Sequence, residues 1–213
     1  MQGKDCDKSS AIYFYADTNK SWGWHTNFFD NIIIRNAYNG IYKEKNEVVW
    51  NTVFRDIRMW DIYHQAINLL TEHGGQLGNI FENISILNYS RNEDNLNLPN
   101  DNSVCIAING EFSFNRLDIE DWYGKLFLTE DGHGSINNVH IERSVFDDNN
   151  IGKIFVCYGT VDVNHISMTY TKARRTKTGT ELSVFFNNRE IDKLKIFDFR
   201  FSADETSSEG VTY

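Results

Sequence analysis

Proline, paired cysteines and long apolar runs are all scarce in this chain of 213 residues. It has one proline beside 14 glycines, and its richness in Ile, Val, Phe, Tyr and Asn favours strands joined by Asn- and Gly-based turns. The three cysteines, Cys6, Cys105 and Cys157, include no CxxC spacing. The odd number of cysteines gives no disulfide framework, and the missing CxxC spacing argues against a zinc or redox motif. We therefore predict no metal and no other cofactor.

A surplus of positive charge and a membrane-length segment are also missing. No apolar run approaches the roughly 20 residues of a membrane span, and the polar start MQGKDCDKSS lacks the apolar centre of a signal peptide. The formal net charge is -9, whereas a general nucleic-acid binder needs a basic face. We expect no membrane span and no nucleic-acid partner. The charge fits a neutral or cationic partner, or solubility alone.

A short apolar pattern recurs along the chain: a large apolar residue, any two residues, an aliphatic, any one residue, then Ile or Met. The copies are FDNIII, FRDIRM, FENISI, FNRLDI, INNVHI, VNHISM and IDKLKI, beginning at Phe29, Phe54, Phe81, Phe114, Ile136, Val163 and Ile191. The period is loose, about 27 residues, but it is sustained, which indicates a repeat architecture. Each copy is followed by a second apolar run: GIY, AINLL, VCIAI, KLFL, KIFVC, LSVFF or GVTY.

These units predict an all-β parallel β-helix of about seven coils in a single domain. Leucine-rich and helical repeats fit poorly because no unit contains an amphipathic stretch of helical length. An antiparallel sandwich would show a tight hairpin signal such as Asn-Gly between most of its paired strands, and Asn-Gly occurs only at Asn39-Gly40 and Asn109-Gly110. Residues 1–28 would form a partial leading coil and cap, with AIYFY (Ala11 to Tyr15) as its second strand, and residues 29–213 the regular coils.

The two aliphatics of each copy lie two residues apart and therefore point to the same face. We expect one internal ladder of Ile32, Ile57, Ile84, Leu117, Val139, Ile166 and Leu194. The next ladder would be Ile34, Met59, Ile86, Ile119, Ile141, Met168 and Ile196. The polar residues that follow suit a corner, because Asn and Asp tolerate the left-handed conformation. They are Asn36, Asp61, Asn88 and Asp121.

The pattern F-x-N-I-x-I, followed by GIY-like runs, resembles the right-handed parallel β-helices of the pectin-lyase-like superfamily. The stretch TVFRDIRMWDIYHQAINLL is similar to one coil of a phage tailspike or tail-appendage protein, and the resemblance covers about Phe29 to the C-terminus. It implies a virion-tail or extracellular protein that binds a cell-surface polysaccharide. Because the superfamily includes lyases, hydrolases, depolymerases and adhesins, the resemblance selects no activity. The uncapped GVTY end leads us to expect either a fragment of a longer protein or a partner covering that end.

Acidic residues gather on the outward side of the predicted first strands. Neighbouring coils lie about 4.8 Å apart, so Asp118 and Glu120 should lie beside His140 and Glu142. Carboxylates at that spacing raise one another's pKa and can supply one acid and one base, as in retaining glycosidases. Trp60, two coils away, would offer its ring to a sugar. The alternative is a set of solvated carboxylates partly neutralised by His140.

Two corners offer further candidate sites. Glu72 and His73 in TEHGG, with Glu130, Asp131 and His133 in TEDGHG, can hold a cation or serve as acid and base, or simply turn the chain. The other corner carries the loops 91–102, 144–150 and 171–180, beside the aromatic groups of a predicted saccharide groove. These groups are Tyr63, His64, Trp122 and Tyr123. Arg174 and Arg175 would meet an anionic glycan, or form an exposed basic loop without a ligand.

The second strands are apolar on both faces, as in Leu126-Phe127-Leu128. If alternate residues face inward, Phe127, Phe155 and Phe185 (with Ala107) form an outward apolar ladder, which usually marks an interface. We therefore predict a homotrimer through this face, with a covering loop of the same chain as the alternative. Three functions stay open: polysaccharide receptor binding, a glycoside hydrolase or polysaccharide lyase, and a structural assembly solenoid.

Overall fold

The computed structural model describes the chain in twelve segments. They are residues 9–15, 23–43, 47–70, 78–88, 104–122, 125–142, 144–147, 153–169, 172–174, 182–186, 193–202 and 211–212. Side chains are described in these segments up to residue 144, apart from residue 125, and again over 159–167. The other segments are described by their backbone alone.

Every regular element in the described segments is a β-strand. The first nine strands are β1 (Ser10–Phe14), β2 (Trp24–His25), β3 (Phe28–Arg35), β4 (Asn39–Lys43), β5 (Val49–Trp50), β6 (Val53–Trp60), β7 (Gln65–Leu69), β8 (Asn79–Leu87) and β9 (Val104–Ile108). The other eight are β10 (Gly110–Glu120), β11 (Lys125–Glu142), β12 (Val145–Asp147), β13 (Lys153–Thr169), β14 (Lys172–Arg174), β15 (Leu182–Phe186), β16 (Lys193–Ser202) and β17 (Val211–Thr212). Within the described residues, no helix is long and apolar enough to cross a membrane.

All strand pairs of the described residues are parallel; β2 pairs with β5 and β12 with β14 in two small sheets, and the other pairs form two series. In the first series β3, β6, β8, β10, β11, β13 and β16 pair in that order, and in the second β1, β4, β7, β9, β11, β13, β15 and β17 do so. Because β11 and β13 run through both series, they join them into one sheet that curls through about 293°. The prediction of an all-β parallel fold is confirmed, and the curled sheet is consistent with a β-solenoid. Ile12 in β1 pairs in parallel with Ile41 in β4, so most of AIYFY extends the second series before β4.

The predicted internal ladders are confirmed for six copies of the repeat. Ile57 pairs with Ile84, Ile84 with Leu117, and Leu117 with Val139, as the pattern requires. The seventh copy is wrong, because Ile166 pairs with Phe199 and Met168 with Phe201. IDKLKI runs on into IFDFRF, which begins at Ile196 and in which Phe199 and Phe201 stand where the pattern has an aliphatic and Ile or Met. The sheet pairs these phenylalanines with the ladders, so Leu194 and Ile196 pair with Val161 and Val163 instead.

Inside six of the seven strands of the first series, β3, β6, β8, β10, β11 and β13, a left-handed residue lies just before the first ladder aliphatic. These residues are Asn31, Asp56, Asn83, Arg116, Asn138 and His165, with φ between 53 and 63°. In a regular strand Phe81 and Ile84, three residues apart, would face opposite sides. Both are buried, at 0% and 1% exposure, because the left-handed residue turns the chain between them. It thereby divides the outward surface into a leading face, before it, and a trailing face, after it.

The polar residues at the end of the first strands form a corner, as predicted. Asn36, Asp61 and Asp121 are left-handed, with φ of 52, 54 and 53°. Asn88 is not among the left-handed residues; it is buried, and its Oδ1 accepts a hydrogen bond of 2.8 Å from the backbone N–H of Ile62. The corner is therefore closed by backbone geometry in three copies and by a side chain in the fourth.

Phenylalanines stack along the core. The ring centroids of Phe29, Phe54, Phe81 and Phe114 follow one another at 5.2, 4.8 and 4.3 Å, with interplanar angles of 6 to 7°. Phe127 packs edge-on against Phe114 at 5.9 Å. The parallel register brings like residues into contact in successive copies, and offset stacking adds to the energy of their burial.

The predicted outward phenylalanine ladder is wrong at Phe127, which is 0% exposed and belongs to the core. The register places Phe127 in one column with Ile106, Phe155 and Phe185, whereas Ala107 pairs with Leu128 in the next column. The side chains of Phe155 and Phe185 lie outside the described residues. A strand that is apolar on both faces does not reveal which face is internal. The homotrimer stays a prediction, without the support of an exposed Phe127.

Candidate functional site

The four predicted catalytic residues lie together on the trailing face. Asp118 of β10 pairs with His140 of β11, and Glu120 pairs with Glu142. His140 Nε2 lies 3.5 Å from Glu142 Oε2. All four side chains are half-buried. The register of the first strands therefore produces the acidic cluster that the spacing of the repeat predicts.

Asp118 is the distinctive member of this cluster. Burial raises the pKa of its carboxyl, Glu142 raises it further, and the charges of His140 and Arg116 oppose the shift. Its Oδ1 is buried and has no hydrogen-bond partner among the described residues. A carboxyl in such an environment keeps its proton to higher pH than usual. Asp118 is thus the group of this face best suited to donate a proton.

Trp60 lies at the same face but its ring is partly covered. The guanidinium carbon of Arg35 lies 3.7 Å from the ring centroid, in the range of a cation–π contact. On its other side Trp60 pairs with Leu87. The ring face toward Arg35 is therefore occupied, and a sugar would have to displace the arginine to stack there.

The predicted saccharide groove is not supported at Trp122. This side chain is 0% exposed, and its backbone N–H donates to Ser144 Oγ at 3.2 Å. The residue follows the corner, but its ring turns into the core, where its large apolar surface is removed from water. Tyr63 is half-buried. His64, also half-buried, stacks on Tyr38 at 4.9 Å.

Two of the three loops predicted at this corner, 144–150 and 171–180, begin side by side, whereas loop 91–102 lies outside the described residues. β12 and β14 pair in parallel, with Asp147 opposite Arg174. Tyr123 and Arg175 lie outside the described residues, and Arg174 is described by its backbone alone. The glycan contacts of these three residues stay predictions.

The predicted corner TEDGHG lies within β11, where the side chain of an asparagine binds its backbone. Asn109 Oδ1 accepts hydrogen bonds from the backbone N–H groups of Glu130 at 2.8 Å and Asp131 at 3.3 Å. His133 Nε2 lies 3.5 Å from Asp131 Oδ1, with both side chains exposed. Glu72 and His73 lie outside the described residues. No group of three or more His, Cys, Asp or Glu that can hold a metal occurs in the described segments.

The leading face carries a cavity that the sequence prediction missed. Two columns of polar side chains run across it in register: Ser113, Ser135 and Asp162 in one, and Glu82, Asn115, Asn137 and Asn164 in the other. We call this cavity the amide groove. It is open and has a volume of about 620 Å³. Its lining consists of Ile80, Glu82, Ser113, Asn115, Asn137, Asn138, Asn164 and His165.

Hydrogen bonds between copies and within one copy fix the side chains of the amide groove. Asn164 Nδ2 donates to Asn137 Oδ1 at 2.7 Å, and Asn137 Nδ2 donates to Ser135 Oγ at 3.1 Å. Asn138 Nδ2 donates to Asn115 Oδ1 at 3.0 Å. Because these side chains are already hydrogen-bonded to one another, they lose little rotamer freedom when a ligand binds.

A sequence signal for this groove exists in three successive copies. SFNR, SINN and DVNH each place Ser or Asp, an apolar core residue, Asn, and a fourth polar residue in the same order. These residues come before the ladder aliphatics, and they face outward together only because the left-handed turn creates the leading face.

Comparison with known proteins gives no match: no family model, no curated protein and no solved structure is similar to this chain. Its function is therefore argued from the chemistry of the two faces.

Proposed function

We propose that this chain is a right-handed parallel β-helix of about seven coils, of the pectin-lyase-like type, that binds a cell-surface polysaccharide. As the resemblance to phage tailspike and tail-appendage proteins implies, it would act as a receptor-binding protein of a virion tail. The observation that carries the proposal is the amide groove, an open cavity of about 620 Å³ lined by in-register amide and hydroxyl side chains.

The composition of the groove supports a polyhydroxylated ligand. Asn and Ser side chains both donate and accept hydrogen bonds, as sugar hydroxyls do. Ile80, which is 39% exposed, adds an apolar patch for the C–H face of a sugar ring. Binding sites for small ligands combine apolar surface with a few placed polar groups in this way.

A second candidate function is glycan cleavage on the trailing face. The raised pKa of Asp118 favours it, since a general acid must keep its proton near working pH. Glu142 or Glu120 would then serve as base or nucleophile, with His140 beside them. Asp118→Asn and Glu142→Gln should abolish turnover if this function is real.

The test is a glycan array followed by a product assay on every hit. Saturable binding without new reducing ends or unsaturated products is the expected result. Product formation that disappears in Glu142→Gln would favour the enzyme instead. Binding to no glycan on the array would contradict the proposal and leave the structural solenoid as the remaining function. Light scattering tests the homotrimer separately.

A further inference from the structure

We infer that the amide groove selects uncharged glycans and disfavours glycans that carry carboxylates. This inference rests on the proposed function and names the class of ligand. It depends on two independent features of the lining, its charge and the orientation of its amides.

The charge of the groove is unfavourable for an anion. Glu82 supplies a carboxylate, and none of the described residues in the lining is Lys or Arg. Arg55 lies next to Glu82 in register, but its guanidinium is bound by Asp30 through two hydrogen bonds of 3.1 and 3.0 Å. Like charges brought together on binding oppose association.

Arg116 also lies near the groove, in the left-handed column beside Asn138, but is not part of the lining. Its charge also acts on Asp118 of the trailing face, where it opposes the rise of the pKa.

The amides present both donors and acceptors. Asn115 accepts from Asn138 through Oδ1, which leaves its Nδ2 hydrogens for a ligand. Asn164 donates through Nδ2 to Asn137, which leaves its Oδ1 as an acceptor. A hydroxyl satisfies both kinds of group, whereas a carboxylate only accepts and would face Asn164 Oδ1 and Glu82 without a proton to share. A buried acceptor left without a donor weakens binding.

The experiment measures binding of the full chain to two sets of polysaccharides. The uncharged set contains dextran, mannan and N-acetylglucosamine oligomers, and the carboxylated set contains hyaluronan, alginate and polysialic acid. We expect binding within the uncharged set only. Glu82→Gln should raise affinity for carboxylated glycans by about fivefold or more. Glu130→Gln, which removes the same charge at an exposed corner of β11, should leave the ratio between the sets unchanged.

The outcomes separate this inference from the proposed function. Binding of the wild type to the carboxylated set, as tight as or tighter than to the uncharged set, overturns the inference but not the proposed function. An unchanged ratio in Glu82→Gln overturns it also. Binding to neither set overturns both.

Discussion

Asparagine has three roles in this protein, and its position in the repeat decides which one it takes. Asn83 and Asn138 are left-handed and turn the strand. Asn79 is buried and bonds the backbone of the preceding copy, accepting from the N–H of Thr52 and donating to the carbonyl of Val49. Asn115 and Asn164 face the amide groove. The short amide side chain serves all three because it bonds local backbone and tolerates positive φ.

Phe81 contributes to stability through the stacked core. Phe81→Ala should lower the free energy of unfolding by about 3–5 kcal/mol, since it removes a fully buried ring between Phe54 and Phe114. Denaturation in urea measures this. Ile33→Ala is the control, because Ile33 is 54% exposed and its loss should cost no more than about 0.5 kcal/mol. Equal costs for the two variants would contradict the assignment of the core.

Asp118 should make stability depend on pH. Its pKa in the fold is raised above the ordinary 3.8, mainly by burial. Between those two pKa values the folded protein binds more protons than the unfolded chain, so stability falls as pH rises. Asp118→Asn should therefore be more stable than the wild type at pH 7, and this difference should shrink as the pH falls toward 3.8.

Unfolding curves at several pH values give the measurement for Asp118. Glu130→Gln, at an exposed position, is the matched control and should show little such trend. A stability gain in Asp118→Asn that persists unchanged at low pH would mean that its carboxyl is not the cause.

At the scale of the element, the left-handed turn inside six strands of the first series is the feature that shapes both faces. Arg116 is the one occupant of the described left-handed column that is neither Asn, Asp nor His. A non-glycine residue in this conformation costs about 1–2 kcal/mol, partly offset by the entropy that glycine loses. Arg116→Gly should therefore stabilise the fold by about 0.5–1 kcal/mol.

Arg58→Gly is the matched control for the turn. Arg58 is an exposed residue of β6 outside the left-handed set, so glycine should destabilise it by about 0.5–1 kcal/mol. Thermal unfolding of both variants measures the difference. Destabilisation of the same size in both would show that Arg116 is not left-handed in solution.

The sequence predicts which residues face inward wherever a strand offers only one match to the apolar pattern. Ile57, Ile84 and Leu117 fall into one ladder because each copy offers one match to the pattern. At Ile191 to Phe201 the pattern match IDKLKI runs on into another apolar stretch, IFDFRF, and the sheet pairs the second one with the ladders. In Leu126-Phe127-Leu128 either alternate set of residues can face inward, so the pairing of the strands decides. The amide groove was missed because a left-handed turn at Asn or Asp resembles any other polar residue in a strand. The acidic cluster was found because it follows directly from register.

At the scale of the whole molecule, the curled sheet predicts where the backbone is best protected. β8 pairs with both β6 and β10, whereas among the described strands β3 pairs with β6 alone. Amides of a strand that is paired on both sides open only with the larger unit. Hydrogen exchange should therefore be slower across β8 than in β3, where alternate amides point away from β6. Equal protection of β3 and β8 would indicate that another segment covers the outer edge of β3.

The repeat fixes the inward residues by packing and leaves the two outward faces free to differ. The leading face carries amides and hydroxyls, and the trailing face carries carboxylates around Asp118. A glycan can bind to one face without contacting the other. Variants that change one face at a time therefore show which face binds the glycan.

The most direct test is a titration of the best-bound glycan into the wild type and the double variant Asn115→Ala, Asn164→Ala. We expect the double variant to lose affinity by about tenfold or more, since two hydrogen bonds at about 1 kcal/mol each are removed. Its unfolding midpoint should change little. Arg58→Ala, on the trailing face, should bind as the wild type does. Unchanged affinity in the double variant would contradict the assignment of the amide groove as the glycan site.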